Sequence, residues 1–250
     1  MTAPADALRA VIADAAILTD FDGTLAPIVD EPAAARPLPG AVPALSELAA
    51  RARIVGVVSG RPVAFIAGHV PDPRIHLSGL YGLERRDAGV VASDPEAERW
   101  AAPIAAAATE LREALPDGVE VEAKRASVTV HFRRHPDREA AVLAAVADVA
   151  GRHGLVTRPA RRAAEVHPPV PVDKGTVVEE LASGGRAACF LGDDVGDLPA
   201  FDALDRLAGK GLLAVRVAVR SPEVSEELVD RADVVVDGPA GAVDWLRGLA

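Results

Sequence analysis

The chain has 250 residues, of which 50% are hydrophobic and 26% charged, enough for one large domain or two small ones. No apolar run approaches the roughly 18 residues that span a bilayer, and the start MTAPADALRA lacks the basic and apolar segments of a secretory signal. The single cysteine, Cys189, cannot form an internal disulfide, which fits a reducing cytoplasm. We therefore expect a cytoplasmic protein that does not bind membranes.

The net charge is −10, and aromatic residues make up only 3% of the chain. Binding to a nucleic-acid backbone requires a basic footprint, so we expect no nucleic-acid partner. No segment implies a protein partner. An anionic small molecule would need a local positive site within this negative overall field. Lysine is rare among the 27 basic residues, which include only Lys124, Lys174 and Lys210.

Hydrophobic patterning predicts alternating strands and helices in the first third of the chain. Short apolar runs that end in polar residues and glycine indicate buried strands, and proline or glycine before an apolar stretch indicates a helix start. The predicted elements are strands at 15–21, 54–58 and 75–80 and a helix at 42–51.

The middle of the chain has a different pattern. Alternating apolar and polar residues predict half-exposed antiparallel strands, and a period near 3.6 predicts amphipathic helices. The predicted elements are helices at 94–115 and 137–152 and strands at 119–123, 127–132, 155–157 and 163–167.

From residue 168 onward the alternation of helix and strand returns. The predicted elements are helices at 174–182, 198–207 and 221–231, strands at 187–191, 212–219 and 233–236, and a last helix ending at 248. This order predicts an α/β fold with a Rossmann-like parallel sheet, formed by residues 1–84 and 166–250. A smaller α+β insert at 85–165 interrupts it.

Asp20 and Asp22 lie where the first predicted strand ends, in the run 20–25 (DFDGTL). In open α/β sheets, ligands bind beyond the carboxyl ends of the strands. Two like charges this close require a cation or a shared proton, and a hard divalent ion such as Mg²⁺ prefers oxygen ligands. The alternative is a turn in which an aspartate caps the backbone.

Two further segments can bind an anion. Ser59, Gly60 and Arg61 end the second predicted strand and open a helix, so their amides and the Ser59 hydroxyl can hold one. The alternative is an ordinary helix start. Lys174 begins a predicted helix, where the helix dipole disfavours a cation, so an anionic partner is indicated. A solvated surface lysine is the alternative there.

A second acidic segment follows the predicted strand at 187–191. Asp193, Asp194 and Asp197 lie on one loop and repel each other unless a metal or another cation offsets their charge. Capping of the next helix explains Asp197 but accounts poorly for Asp193 and Asp194.

These four segments, in this order, resemble the motifs of the haloacid dehalogenase-like superfamily of phosphatases. The resemblance covers both halves of the predicted core and implies an inserted cap domain. It implies that Asp20 is the nucleophile, which forms an aspartyl phosphate, and that Asp22 is the general acid and later the base. Lys174 would complete the catalytic set by binding the phosphoryl group and offsetting the charge of Asp20.

The resemblance also implies a Mg²⁺ site and a phosphoryl site. Asp20, the backbone carbonyl of Asp22, and Asp193 would hold the metal, with Asp194 beside it and Asp197 in support. The residues implied to contact the phosphoryl group are Asp20, Asp22, Gly23, Ser59, Gly60 and Arg61.

The insert resembles the cap of the trehalose-phosphatase branch of that superfamily. The similarity lies in the runs 82–84 (GLE), 122–124 (EAK), 131–133 (HFR) and 165–168 (EVHP). It implies that Glu122, Lys124 and Glu165 hydrogen-bond the hydroxyls of a small-molecule sugar phosphate. The alternatives are a solvated strand face for the alternating charges and a structural role for His131.

Three positions depart from the pattern of that branch. Tyr81 stands where the family usually has histidine, Gly118 where it often has arginine, and 196–198 (GDL) where it usually has Thr-Asp-Glu. These departures bear on the sugar contacts and the outer metal shell, and none removes a predicted catalytic group.

The sequence therefore predicts Mg²⁺-dependent hydrolysis of trehalose 6-phosphate to trehalose and phosphate. One alternative is the same chemistry on another sugar phosphate, such as a sucrose, mannosylglycerate or monosaccharide phosphate. The other is a catalytically silent, sugar-binding regulatory subunit, against which the presence of Asp20, Asp22, Lys174 and Asp193 argues.

Overall fold

The computed structural model describes residues 3–29, 31–124, 126–132, 134–160, 162–221 and 224–250. Contacts between Cα atoms divide the chain into two compact units. Unit 1 comprises 1–92 and 172–250, and unit 2 comprises 93–171. Within the described residues, no helix is both long and apolar enough to cross a membrane.

Unit 1 is built on an eight-stranded sheet with the strand order β12-β11-β10-β1-β2-β3-β4-β5. Its strands are β1 (Ala15–Thr19), β2 (Ile54–Val58), β3 (His76–Gly79), β4 (Glu84–Asp87), β5 (Val90–Ser93), β10 (Ala187–Gly192), β11 (Leu213–Arg220) and β12 (Val234–Asp237). The six strands from β12 to β3 are parallel, and β4 pairs antiparallel with β3. This arrangement confirms the predicted α/β class with a largely parallel sheet.

Helices cover both faces of this sheet. They are α1 (Ala3–Ala10), α2 (Ala41–Ala49), α3 (Val63–Ala67), α7 (Lys174–Ala182), α8 (Leu198–Ala208), α9 (Glu226–Asp230) and α10 (Gly238–Leu249). Because successive side chains of a strand point to opposite faces, Ile17 packs in one core cluster with α1, α2 and α10, and Leu18 packs in another with α7 and α8. Every residue of β1 is buried, as its continuous apolar sequence predicts for a central parallel strand.

Unit 2 is an antiparallel sheet with helices on one face. Its strand order is β6-β7-β9-β8. Its elements are α4 (Pro95–Glu98), α5 (Ala101–Ala114), β6 (Glu120–Ala123), β7 (Val128–His131), α6 (Glu139–Arg152), β8 (Val156–Ala160) and β9 (Ala163–His167). The apolar side chains of this sheet, including Val128 and Val166, form a core with Ile104 of α5 and Val146 of α6.

Two predicted helices differ clearly from the observed ones, and two observed strands were not predicted. The helix predicted at 94–115 is two helices, α4 and α5, separated by a turn, and Pro103 lies in the first turn of α5, where its missing N–H costs little. In place of the helix predicted at 221–231, the structure has the shorter α9, which begins at Glu226. Pro222 and Glu223 lie outside the described residues. Residues 84–93 form β4 and β5, which extend the core sheet.

Candidate active site

The polar segments identified from the sequence meet at the carboxyl edge of the parallel sheet. Thr19, the last residue of β1, is in register with Leu191 of β10 and with Val57 of β2. Asp20 continues this pairing, since its N–H donates to the carbonyl oxygen of Leu191 at 2.8 Å. The loops that follow β1, β2 and β10 therefore start side by side.

Three buried carboxylates cluster at this edge. One oxygen each from Asp20, Asp193 and Asp197 lies within 4.8 Å of the others. Their exposed fractions are 5%, 1% and 0%. Carboxylates so close and so dry repel each other strongly, so the cluster requires positive charge.

Lys174 supplies one positive charge. Its ammonium donates to Asp197 Oδ1 at 2.6 Å and lies 2.9 Å from Asp20 Oδ2. Asp173 and Thr176 form a capping box, which makes Lys174 the first residue of α7. The side chain is 3% exposed, so the solvated surface lysine that was the alternative does not apply.

The charges in the cluster do not balance. Burial raises the pKa of the Asp20 carboxyl well above its usual value, the charge of Lys174 opposes this, and Asp197 and Asp194 add to it. Burial also acts to lower the pKa of Lys174, but the nearby carboxylates Asp197 and Asp20 outweigh it and hold that pKa well above its usual value. One ammonium among several carboxylates leaves room for a further cation.

Asp197 organises the loop after β10. Its Oδ2 accepts from the N–H groups of Asp193 at 2.8 Å and Asp194 at 3.2 Å, while its Oδ1 binds Lys174. Asp194 caps the following turn, since its Oδ1 accepts from Gly196 N–H at 2.8 Å. Asp197 therefore acts as a structural partner of Lys174, and the side chain of Asp194 is used for capping.

Gly23 allows the first and fourth motifs, which carry Asp20 and Asp193, to approach each other. It has φ +76, a conformation that favours glycine, and a Cβ there would lie 2.0 Å from Asp193 Oδ2. Thr24 Oγ1 donates to Asp193 Oδ1 at 3.4 Å. Gly23 is thus needed for the position of the Asp193 carboxylate.

The carboxylate of Asp22 faces a different partner. Both of its oxygens accept from the guanidinium of Arg61, at 2.7 and 2.9 Å, and its side chain is 33% exposed. The structure therefore joins Asp22 and Arg61 directly, outside the carboxylate cluster. The backbone carbonyl of Asp22 was the atom expected to hold the metal.

The segment after β2 adds a hydroxyl and a close backbone approach. Ser59 is buried, and its Oγ accepts from Arg61 N–H at 3.2 Å. A Cβ on Gly60 would lie 2.8 Å from the ring of Tyr81, so a side chain at 60 would displace that ring. Tyr81 has φ 59 and is thus in the left-handed region, an uncommon conformation for a bulky residue.

The donor set at the sheet edge fits a hard divalent cation. Asp20 and Asp193 offer buried carboxylate oxygens, the donors that Mg²⁺ prefers, and they face a site with surplus negative charge. Asp197 contributes less, because both its oxygens already accept hydrogen bonds.

The predicted sugar-contacting residues lie together within unit 2. Glu122 is in register with Thr129, and Thr129 with Glu165, so all three side chains share the sheet face opposite the helices. Lys124 Nζ lies 3.6 Å from Glu165 Oε1, which also accepts from Ser127 Oγ at 2.7 Å.

This polar face is partly buried rather than a freely solvated surface. Glu165 is 1% exposed. His131 Nε2 lies 2.9 Å from Glu122 Oε2, which accounts for His131 as a partner of that carboxylate. Gly118 has φ +90, and a Cβ there would lie 2.5 Å from His135 Nε2, which explains a glycine at this position. Arg133, part of the run compared with the trehalose-phosphatase branch, lies outside the described residues.

Sequence reasoning missed two features of the site. It gave Asp197 only a supporting role, although this residue is the shortest contact of Lys174. It also missed the pairing of Arg61 with Asp22, since nothing in the spacing of two residues 39 positions apart indicates a contact. The apolar residues Phe21 and Phe65, which flank this pair, carried no signal beyond core packing.

Solved structures with this fold define the class. The chain superposes on a haloacid dehalogenase-like hydrolase from Bacteroides thetaiotaomicron with a TM-score of 0.63 and 14% identity, covering 93% of this chain and 98% of that one. It superposes on the C-terminal domain of trehalose-6-phosphate phosphatase from Candida albicans with a TM-score of 0.81 and 23% identity, covering 98% of this chain and 94% of that one. The fold is therefore that of the haloacid dehalogenase-like hydrolases.

The sequence identifies the family within that class. The model of the trehalose-phosphatase family matches residues 18–232. The trehalose-phosphate phosphatase of Mycobacterium avium is 37% identical over 246 residues, which cover 94% of this chain. This chain belongs to the trehalose-phosphatase family. It spans 62% of the length of that mycobacterial relative.

Proposed function

We propose that this chain is a Mg²⁺-dependent phosphatase that hydrolyses trehalose 6-phosphate through an aspartyl-phosphate intermediate. The observation that carries the proposal is the buried pair of Asp20 and Lys174 at the carboxyl edge of the sheet, 2.9 Å apart. Membership of the trehalose-phosphatase family supports the choice of reaction and of substrate.

In this proposal Asp20 attacks phosphorus, and the bond between phosphorus and the sugar oxygen breaks. Asp22 gives a proton to that oxygen and later takes one from the water that hydrolyses the intermediate. Lys174 is already beside Asp20, so its charge offsets negative charge without moving during the reaction. Ser59, Gly60 and Gly23 border the space where the phosphoryl group would bind.

Asp20, Asp193 and the backbone carbonyl of Asp22 would hold the metal. When bound, Mg²⁺ would neutralise negative charge on the carboxylates and on the phosphoryl oxygens. Burial raises the pKa of Asp20, and the negative charges of Asp197 and Asp194 raise it further; a bound cation would offset these charges, which supports the assignment. Asp194, which sequence analysis assigned to the metal site, would act through the loop that it caps.

We further propose that unit 1 is the catalytic core and that unit 2 is the cap that selects the sugar. Glu165 and Lys124 combine a carboxylate and an ammonium on one partly buried face, and Glu122 of β6 lies on the same face, across β7 from Glu165. Such paired donors and acceptors suit the hydroxyl groups of a sugar. A cytoplasmic location agrees with the single buried thiol at Cys189.

The direct test measures phosphate release from trehalose 6-phosphate with Mg²⁺ and with EDTA. We expect release only with the metal, no release by Asp20→Asn, and near-normal release by the control Asp202→Asn, whose carboxylate pairs on the surface with Arg231. Metal should also raise the unfolding temperature of the wild type more than that of Asp193→Asn. Equal release by Asp20→Asn and wild type would disprove the proposed chemistry.

A substrate panel separates the remaining candidates. Sucrose 6-phosphate, mannosylglycerate phosphate and glucose 6-phosphate are ranked with trehalose 6-phosphate by kcat/KM. Glu165→Gln and Lys124→Met should lower kcat/KM for the true substrate and leave hydrolysis of p-nitrophenyl phosphate nearly unchanged, since that ester has no sugar. Binding of trehalose 6-phosphate without turnover of any phosphate ester would instead favour the silent regulatory subunit.

A further inference from the structure

The guanidinium of Arg61 binds both oxygens of one carboxylate. Its Nε donates to Asp22 Oδ2 at 2.7 Å, and its Nη2 donates to Asp22 Oδ1 at 2.9 Å. The Arg61 side chain is 14% exposed, so water has little access to the pair from that side. Two parallel hydrogen bonds fix the plane of the carboxylate as well as its position, which a lysine in the same place would not do.

An aromatic cluster, formed by Phe21, Phe65 and His69, supports this pair. The guanidinium carbon of Arg61 lies 4.6 Å from the centroid of the Phe65 ring. Phe65 packs edge-on against Phe21, with centroids 5.8 Å apart, and His69 lies 5.1 Å from Phe65 and 6.1 Å from Phe21. Because Phe21 directly precedes Asp22, the cluster contacts both the arginine and the loop that carries its partner.

The backbone around Arg61 is also held in place. Its carbonyl oxygen accepts from Leu80 N–H at 3.0 Å, and its own N–H donates to Ser59 Oγ at 3.2 Å. At the start of α3, Val63 N–H donates to the buried carboxylate of Glu84 at 2.9 Å. The guanidinium is therefore fixed from its backbone, from its aromatic neighbour and from Asp22.

The two hydrogen bonds fix the direction in which the Asp22 carboxylate meets a reaction partner. Because both oxygens are held in the plane of the guanidinium, their remaining lone pairs point in a fixed direction. In the proposed phosphatase reaction, such a carboxylate is needed when water hydrolyses the aspartyl phosphate, because Asp22 then takes a proton from that water.

We propose that Arg61, supported by Phe65, is a positioning residue that orients the Asp22 carboxylate for hydrolysis of the aspartyl phosphate. In this step the water oxygen bonds to phosphorus and one water proton passes to Asp22. The bond between phosphorus and Asp20 breaks, which restores the Asp20 carboxylate and releases inorganic phosphate. This inference rests on the proposed function, and it replaces the role of phosphate ligand that the sequence suggested for Arg61.

The test follows p-nitrophenol release from p-nitrophenyl phosphate by the full chain with Mg²⁺, on the pre-steady-state timescale. Nitrophenolate leaves without much help from an acid, so phosphorylation of Asp20 should stay fast in Arg61→Gln. Hydrolysis of the aspartyl phosphate, the second half of the reaction, should slow. This gives a burst with an amplitude close to one nitrophenol per enzyme. We expect kcat to fall by about 10- to 100-fold, with KM falling in proportion and kcat/KM nearly unchanged.

Two further variants test the supporting contacts. Arg61→Lys keeps the charge and loses the second hydrogen bond, so it should recover part of kcat. Phe65→Leu leaves Arg61 and Asp22 in place and removes the ring, so it should show the same burst with a smaller loss of kcat. The control is Arg36→Gln, an exposed cation that donates to the carbonyl oxygens of Ala33 and Ala35; it should show no burst.

The outcomes separate this inference from the proposed function. If the wild type neither hydrolyses a phosphate ester nor forms a phosphorylated Asp20, the proposed function fails. If the wild type is active but neither Arg61→Gln nor Phe65→Leu gives a burst, the inference alone fails. A rise in KM with a lower kcat/KM in Arg61→Gln would mean that Arg61 binds the phosphoryl group, and this too would overturn the positioning role.

Discussion

Replacing Asp197 with asparagine tests whether this carboxylate is a structural partner of Lys174. The two side chains have almost the same shape, so the change mainly removes a charge and an acceptor. Three donors point at the Asp197 carboxylate: the Lys174 ammonium at 2.6 Å and the N–H groups of Asp193 and Asp194 at 2.8 and 3.2 Å. An amide has one oxygen, so in either orientation its NH₂ group faces a donor.

The expected loss follows from the burial of this group. Asp197 is fully buried, and Lys174 is 3% exposed. Removing one partner of a buried ion pair costs about 3 to 5 kcal/mol of unfolding free energy. Lys174 keeps Asp20 as a partner, and loss of the Asp197 charge relieves repulsion on Asp20, so we place the loss at the lower end, about 3 kcal/mol.

The assay is urea unfolding in EDTA, so that metal binding does not contribute. Wild type, Asp197→Asn and the control all carry Trp100→Phe, so that tryptophan fluorescence comes from Trp245 alone. Trp245 packs against the core of unit 1 and therefore reports on its unfolding. The matched control is Asp202→Asn on the same helix α8, whose partly exposed ion pair with Arg231 should contribute no more than about 1 kcal/mol. A loss for Asp197→Asn no larger than the control's would refute the structural role.

Two further predictions concern packing in unit 1. A Cβ at Gly175 would lie 2.3 Å from the carbonyl oxygen of Pro199, so Gly175→Ala should separate α7 from α8 and cost about 1 to 3 kcal/mol in thermal unfolding. Gly151→Ala, at the exposed next-to-last residue of α6 in unit 2 with open space around it, should be neutral or stabilising; equal losses for the two substitutions would contradict this packing constraint. Burial raises the pKa of the Cys189 thiol to about 12, so a disulfide reagent should label it only after unfolding; rapid labelling of the native protein would show that β10 opens.

The sequence was most informative where one local rule decides the structure. β2 was predicted with its observed bounds because five apolar residues between polar segments are typical of a buried strand. α7 was also predicted with its observed bounds, and the structure adds the reason that it begins at Lys174: Asp173 and Thr176 form a capping box. β4 and β5 were not predicted, because ERRD and VVAS are short and largely polar or exposed; only the pairing of β4 with β3 and of β5 with β4 makes them strands.

The site was predicted as a set of residues rather than as a geometry. The family resemblance implied that Asp20 and Asp193 share one site; in the structure their carboxylates lie in one cluster because β1 and β10 are adjacent parallel strands that end at the same edge. Which donor binds which carboxylate depends on side-chain directions, so the sequence did not indicate that Lys174 lies between Asp20 and Asp197 or that Arg61 binds Asp22.

The central position of β1 has a consequence for synthesis of the protein. β1 pairs with β10, and the contact between Thr24 and Asp193 joins residues 169 positions apart. During translation β1 therefore stays unpaired on the side where β10 later binds, until most of the chain has left the ribosome. Contacts this distant in sequence slow folding and expose strand edges to other nascent chains. We therefore expect a fragment that ends before β10 to aggregate, since it holds Asp20 and Asp22 but lacks both Lys174's partner Asp197 and the strand that covers β1.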